Sequence, residues 1–178
     1  GRVGIMEFIQ GARRLGYPVL IEQRFLDKDS DFHDQLLKIQ ELSPQAVVIW
    51  GNDPKQSGLI VKQMREMGMN HPIFGFDRMA HPLFLEAVGN AAEGVVVASS
   101  YNPDTDDPVW QTFRQRYQER FKEEPDAFAA HAYDGMNIIV QAVKKAGLNR
   151  ARIRDALFSL KSYRVVTGQI IFDTVMND

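Results

Sequence analysis

Two rhythms of apolar residues alternate along this chain. Four short runs rich in β-branched or aromatic residues, 18–21, 46–50, 73–74 and 94–98, read as buried strands. Other apolar residues fall at helical spacing. Ile5, Phe8, Ile9, Ala12 and Leu15 make one face of a helix over 3–15 that stops at Gly16. Phe32, Leu36, Leu37 and Ile39 mark a second helix, with Ser30 or Asp31 as its N-cap and Ser43-Pro44 as its end. Ile60, Val61, Met64 and Met67 mark a third, from about Pro54 to a stop at Gly68. Pro82 opens a short helix through Val88.

The second half reads differently. A polar loop over 102–108 leads to Trp110, Phe113, Tyr117 and Phe121 at helical spacing. Pro125 breaks that helix, and a long one follows with Tyr133, Met136, Val140 and Val143 on one face and Gly147 as its stop. A shorter helix over 150–160 precedes two extended segments, Val165-Val166 and 169–172, joined at Thr167-Gly168. Strands alternating with helices predict an α/β fold: a doubly wound, mostly parallel sheet with helices on both faces. The consecutive helices after Pro108 are expected as an elaboration near one sheet edge. With 178 residues the chain can bury one well-formed core.

Composition narrows the function more than it changes the fold. The 21 basic and 23 acidic residues give a formal charge of -2, which argues against nucleic acid as a partner. No Lys/Arg cluster stands out; Arg13-Arg14 and Lys144-Lys145 are pairs at helix ends, where positive charge suits the dipole. Without cysteine there is no disulfide, thiolate metal site or cysteine nucleophile. His33, His71, His81 and His131 sit in no ligand spacing or catalytic motif, so neither a metal nor an enzyme is expected. No glycine-rich phosphate cradle suggests a cofactor.

Ligands of open α/β sheets bind outside the carboxyl ends of the strands. That rule selects the loops Asn52-Asp53 and Asp77-Arg78, which follow two of the expected strands within residues 51–79. A carboxylate at Asp77 suits a cationic group such as an ammonium; it can equally cap a helix or pair with Arg78. Tyr101, in a polar loop just after a strand, can stack on a ligand or cover an edge of the core.

Taken together, several stretches resemble the type I periplasmic solute-binding proteins of ABC importers, in the branched-chain amino acid (Leu/Ile/Val) binding group. They are Val47-Val48-Ile49-Trp50-Gly51-Asn52 with the helix to Gly68, Gly75-Phe76-Asp77, Glu93-Gly94-Val95, Ala132-Tyr133-Asp134-Gly135, and Thr167-Gly168-Gln169-Ile170-Ile171-Phe172-Asp173. They occur in the family's order over nearly the whole chain.

The resemblance implies two α/β lobes closing on a small solute in the cleft between them, without catalysis. It implies that residues 1–178 are the second lobe, lacking its first strand and the whole first lobe. The strands at 18–23 and 46–50 would then leave a gap between them. The implied partners are an amino acid or related amine or amide and the membrane permease of an ABC importer. The implied location is periplasmic or extracellular, lipid-anchored in a single-membrane bacterium. An alternative is the ligand-sensing domain of a receptor or an amide-responsive regulator with the same fold.

Position by position, Asp77 falls where the family places an acid on the ligand's α-ammonium. Asp53 falls near a position that is aromatic in Leu/Ile/Val binders, which favours a polar or cationic ligand over an aliphatic one. Asn52 lies in the same loop, Tyr101 is a further ligand candidate near the hinge, and Tyr133 and Asp134 are implied to be mainly structural.

Overall fold

A computed structural model describes residues 2–172. It divides into two compact units, Gly1–Ser99 and Ser100–Asp178.

The first unit carries α1 (Arg2–Arg14), α2 (His33–Glu41), β1 (Val47–Ile49), α3 (Pro54–Glu66), β2 (Ile73–Gly75), α4 (Pro82–Val88) and β3 (Val95–Val97). Short 3-10 turns at Asp77–Ala80 and Gly89–Ala92 flank α4. The strands pair in parallel in the order β1-β2-β3, with Val48 beside Phe74 and Phe74 beside Val96. Alternation sends Val47, Ile49 and Ile73 into a core with Val61, Met64, Met69 and Phe84. The opposite row stays partly open: Val48, Phe74 and Val96 are 39%, 43% and 57% exposed.

Helices α3 and α4 touch closely because Gly58 has no side chain. A Cβ there would lie 2.8 Å from Ala87 Cβ and 2.9 Å from the Phe84 carbonyl oxygen.

Two local expectations fail here. The expected strand at 18–21 has extended backbone but belongs to no sheet among the described residues. Apolar β-branched composition favours a strand, but a strand also needs a neighbour to receive its N–H and C=O groups, and none of the described residues pairs with this segment. The chain after it is tied down by α3 instead. Gln56 Nε2 donates to the Leu26 and Asp29 carbonyls at 2.7 and 2.8 Å, while Gln63 Nε2 donates to Ser30 O and its Oε1 accepts from Phe32 N. The N-cap position of α2 is Phe32, which has no capping side chain, rather than Ser30 or Asp31. Asp31 instead accepts from His33 N and meets His33 Nδ1 at 2.6 Å, and these contacts hold its carboxyl below its usual range.

The second unit contains α5 (Pro108–Phe121), α6 (Ala127–Ala146), α7 (Arg150–Phe158) and the antiparallel pair β4 (Tyr163–Val165) and β5 (Gly168–Ile170). Trp110, Phe113, Ala130 and Val166 form its core, with Tyr101 and Tyr117 packed against it. Phe121, expected in the same stripe, is exposed.

Helix α6 also turns differently from expectation. Its buried row is Ala130, Asp134, Ile138 and Ala142, whereas Tyr133, Met136 and Val140 are exposed. Small residues let neighbouring segments approach closely, and Asp134 is satisfied where it is buried. Its Oδ1 accepts from Val166 N at 2.8 Å, and its Oδ2 from Thr167 N at 3.1 Å and Thr167 Oγ1 at 2.7 Å. Asp134 therefore holds the β4–β5 turn, the structural role implied for it. Asp173, the last residue of the family-like segment, lies outside the described residues.

Candidate functional site

The carboxyl ends of β1 and β2 lie side by side, so the loops leaving them share one edge of the sheet. The β1 exit is Trp50-Gly51-Asn52-Asp53. Gly51 is buried, and a Cβ on it would lie 2.5 Å from Ser57 Oγ and 3.3 Å from Phe25 Cζ, so any side chain here would have to displace the Ser57 hydroxyl. Asp53 is the N-cap of α3: its Oδ1 accepts from Lys55 N at 2.8 Å, and its carbonyl accepts from Ser57 N and Ser57 Oγ, both at 3.0 Å. Pro54 follows at the first helical turn, where its missing N–H costs nothing. Asn52 and Asp53 are both exposed.

The β2 exit is Gly75-Phe76-Asp77. A side chain on Gly75 would collide with the sulfur of buried Met79, which folds back beneath the strand end. Met79 N donates to Phe76 O at 2.9 Å and closes the 3-10 turn that Asp77 begins. Asp77 is half-buried. Among the described residues no hydrogen bond or ion pair reaches its carboxylate. It caps no helix: Phe76 holds the cap position of the 3-10 turn, and α4 is capped by His81 Nδ1, which accepts from Leu83 N at 3.2 Å.

One feature of the edge escaped the sequence reading. Trp50 and Phe76 stack across the two exits, with ring centroids 5.0 Å apart and planes 13° from parallel. Phe8 of α1 reaches Trp50 at 6.2 Å. The signal was available, because each aromatic immediately follows the last residue of its strand, and in-register parallel strands bring equal offsets together. The edge therefore presents an aromatic pair beside an unpartnered carboxylate and a polar turn.

Tyr101 belongs to the second unit. Its ring lies 5.1 Å from Trp110 and meets the His131 ring edge-on at 6.2 Å. Burial, followed by the charges of Asp126 and Glu124, raises its phenol above the usual value. Of its two open roles, covering a core edge is the one this packing displays. Ser100 Oγ and His131 Nε2 are 3.0 Å apart, an exposed hydroxyl–imidazole contact, while nearby Asp134 is committed to the β4–β5 turn. Among the described residues no three His, Asp or Glu side chains converge as a metal site requires. No described helix is long and apolar enough to cross a membrane.

A family model described as periplasmic binding protein matches residues 1–177. The chain is 26% identical over 149 residues to a Leu/Ile/Val-binding protein homolog 2 of Brucella abortus, covering 82% of this chain and 38% of that protein. Among solved structures it resembles the branched-chain amino acid transporter substrate-binding protein LivJ of Streptococcus pneumoniae, in complex with isoleucine. That match has 30% identity and a TM-score of 0.79, over 94% of this chain and 49% of the other. It also resembles the leucine-binding protein LivK of Thermotoga maritima, with 29% identity and a TM-score of 0.84, over 93% of this chain and 47% of the other. The chain thus spans less than half the length of each of these relatives.

Proposed function

This chain belongs to the periplasmic binding protein family, and we propose that it is the second lobe of an extracytoplasmic solute-binding protein serving an ABC importer. Its ligand is an amino acid or a related small amine or amide, held in a cleft shared with a first lobe. Asp77 receives the ligand's ammonium, and Asn52 and Asp53 line the same wall. The protein works in the periplasm, or outside a single-membrane cell on a lipid anchor, and delivers its ligand to a membrane permease.

The observation that carries this reading is the Asp77 carboxylate, half-buried at the carboxyl edge of a parallel sheet and left without a partner among the described residues. A carboxylate withdrawn from water costs free energy unless it is paired, so a cationic ligand group is its natural complement. Isoleucine, bound to the Streptococcus pneumoniae relative, and leucine, for which the Thermotoga maritima relative is named, both carry such an ammonium.

Two features support the lobe assignment. The outer side of β1 has no ladder among the described residues, and the extended segment at 18–21 also stands unpaired. A parallel strand between the two would satisfy both.

The Asp53 side chain gives one carboxylate oxygen to the helix cap, and among the described residues nothing engages the other. That oxygen favours a ligand whose side chain is polar or cationic. A thermal-shift screen of the two-lobed protein against amino acids, their deaminated analogues and simple amines tests the proposal. Stabilisation by amino acids but not by their deaminated analogues is expected; equal stabilisation by both would remove the ammonium contact.

A further inference from the structure

No Lys/Arg cluster stood out in the sequence, yet between residues 144 and 164 the charge is strongly one-sided. Asp155 is the single acid in a stretch containing Lys144, Lys145, Arg150, Arg152, Arg154, Lys161 and Arg164. Only two of these cations are engaged by acids among the described residues: Arg154 pairs with Asp155 at 2.7 Å and Arg164 with Asp107 at 2.6 Å. Lys144, Lys145, Arg150, Arg152 and Lys161 are exposed and without an acidic partner among the described residues.

Sequence spacing explained Lys144 and Lys145 as favourable charges at a helix end, and α6 does end at Ala146. It did not explain Arg150 and Arg152. They stand in the first turn of α7, where the positive end of the helix dipole opposes them. A local electrostatic conflict without a compensating contact is a place to look for a functional role.

The corner between these helices is short. Gly147, at φ 70°, ends α6 by donating its N–H to Val143 O at 2.8 Å, and Asn149 Oδ1 caps α7 by accepting from Arg152 N at 3.1 Å. Leu148, between them, is 96% exposed, and Phe158 at the far end of α7 is 61% exposed. The result is an apolar tip flanked on both sides by cations.

We propose that this corner is a peripheral docking surface for an anionic phospholipid bilayer. The lysines and arginines lie against headgroup phosphates while Leu148 enters the interfacial region. Charge complementarity accounts for the cations, and the protruding leucine, which has no pocket of its own, accounts for the preference for a lipid surface over an acidic protein. The surface is independent of the solute site and of the reading given to Asp77.

Co-sedimentation of the two-lobed protein with vesicles of mixed phosphatidylglycerol and phosphatidylcholine tests this, with pure phosphatidylcholine vesicles as the reference. Binding to the mixed vesicles alone, lost in high salt, is expected. Each of Arg150→Glu and Arg152→Glu should weaken it by about fivefold or more. Both changes relieve the conflict with the helix dipole, so circular dichroism should show a fold at least as stable, which separates lost binding from unfolding. Leu148→Asp should weaken binding further, and Leu148→Trp should show a blue-shifted fluorescence component on mixed vesicles. No binding, or equal binding to neutral vesicles, overturns the proposal. Charge-dependent binding indifferent to Leu148→Asp also overturns it, since that is the behaviour expected of a surface that meets an acidic protein.

Discussion

Two aspartates, one in each unit, show what a buried or half-buried carboxylate can be for. Asp134 is 1% exposed and accepts three hydrogen bonds from the turn between β4 and β5. Asp77 stands at the open edge of the parallel sheet and accepts none among the described residues. Each follows an aromatic residue in a family-like motif, Tyr133-Asp134 and Phe76-Asp77, so the sequence presents them alike. The difference lies in what the surrounding backbone offers. Two consecutive N–H groups and a threonine hydroxyl converge on Asp134, whereas the 3-10 turn at Asp77 spends its own N–H groups on local closure. A carboxylate saturated by its own chain stabilises the fold; one left unsaturated at a strand end is available to a ligand.

The sharpest way to break this contrast is to remove each acid in turn. Asp134→Ala should cost about 3 kcal/mol or more, because it strands buried donors of the turn. Asp134→Asn, which can still accept at one oxygen, should cost less. Asp77→Asn should leave stability within about 0.5 kcal/mol, as expected of a residue outside the core. Urea denaturation of the three variants measures all of this, and a large loss with Asp77→Asn would erase the distinction.

A smaller effect sharpens it at the neighbouring loop. Asp53 lies between the extremes, with one oxygen in the α3 cap. Asp53→Ala should cost about 1 kcal/mol through the lost cap. Asp53→Ser, which can still cap, should recover most of that stability. Any effect on ligand selectivity that persists in the serine variant belongs to the carboxylate rather than the cap.

The smallest effect concerns pH. Arg114 donates to both oxygens of Glu124 at 2.8 Å, and this contact, with help from Gln118, holds the Glu124 carboxyl below its usual range. A carboxyl depressed in the folded state contributes stability above its unfolded value and loses it as pH falls through the folded one. Because the pair is exposed, the loss on acidification should be slight. Comparing the pH dependence of stability with that of Glu124→Gln would reveal it as a difference confined to the acid side.

Much of this architecture was legible in the sequence because it depends on local rules. The runs at 46–50, 73–74 and 94–98 became β1, β2 and β3, and Pro54, Pro82, Gly68 and Gly147 marked helix ends. What failed depends on neighbours. The segment at 18–21 has a strand's composition, but no described residue pairs with it. The core row of α6 runs through two alanines and Asp134, and a count of large apolar residues selects the wrong side of the helix. At the candidate site, Asn52, Asp53 and Asp77 were found from their position after strands. The Trp50–Phe76 stack was missed because it becomes evident only once the parallel register is known.

The most direct test of the Asp77 assignment is titration calorimetry of the two-lobed protein with the amino acid that stabilises it most, comparing the unmodified protein with Asp77→Asn. Loss of one partner of a desolvated charge pair should weaken affinity by about a hundredfold or more, while the variant's unfolding curve remains unchanged. Unchanged affinity in a folded variant would contradict the assignment and place the ammonium elsewhere.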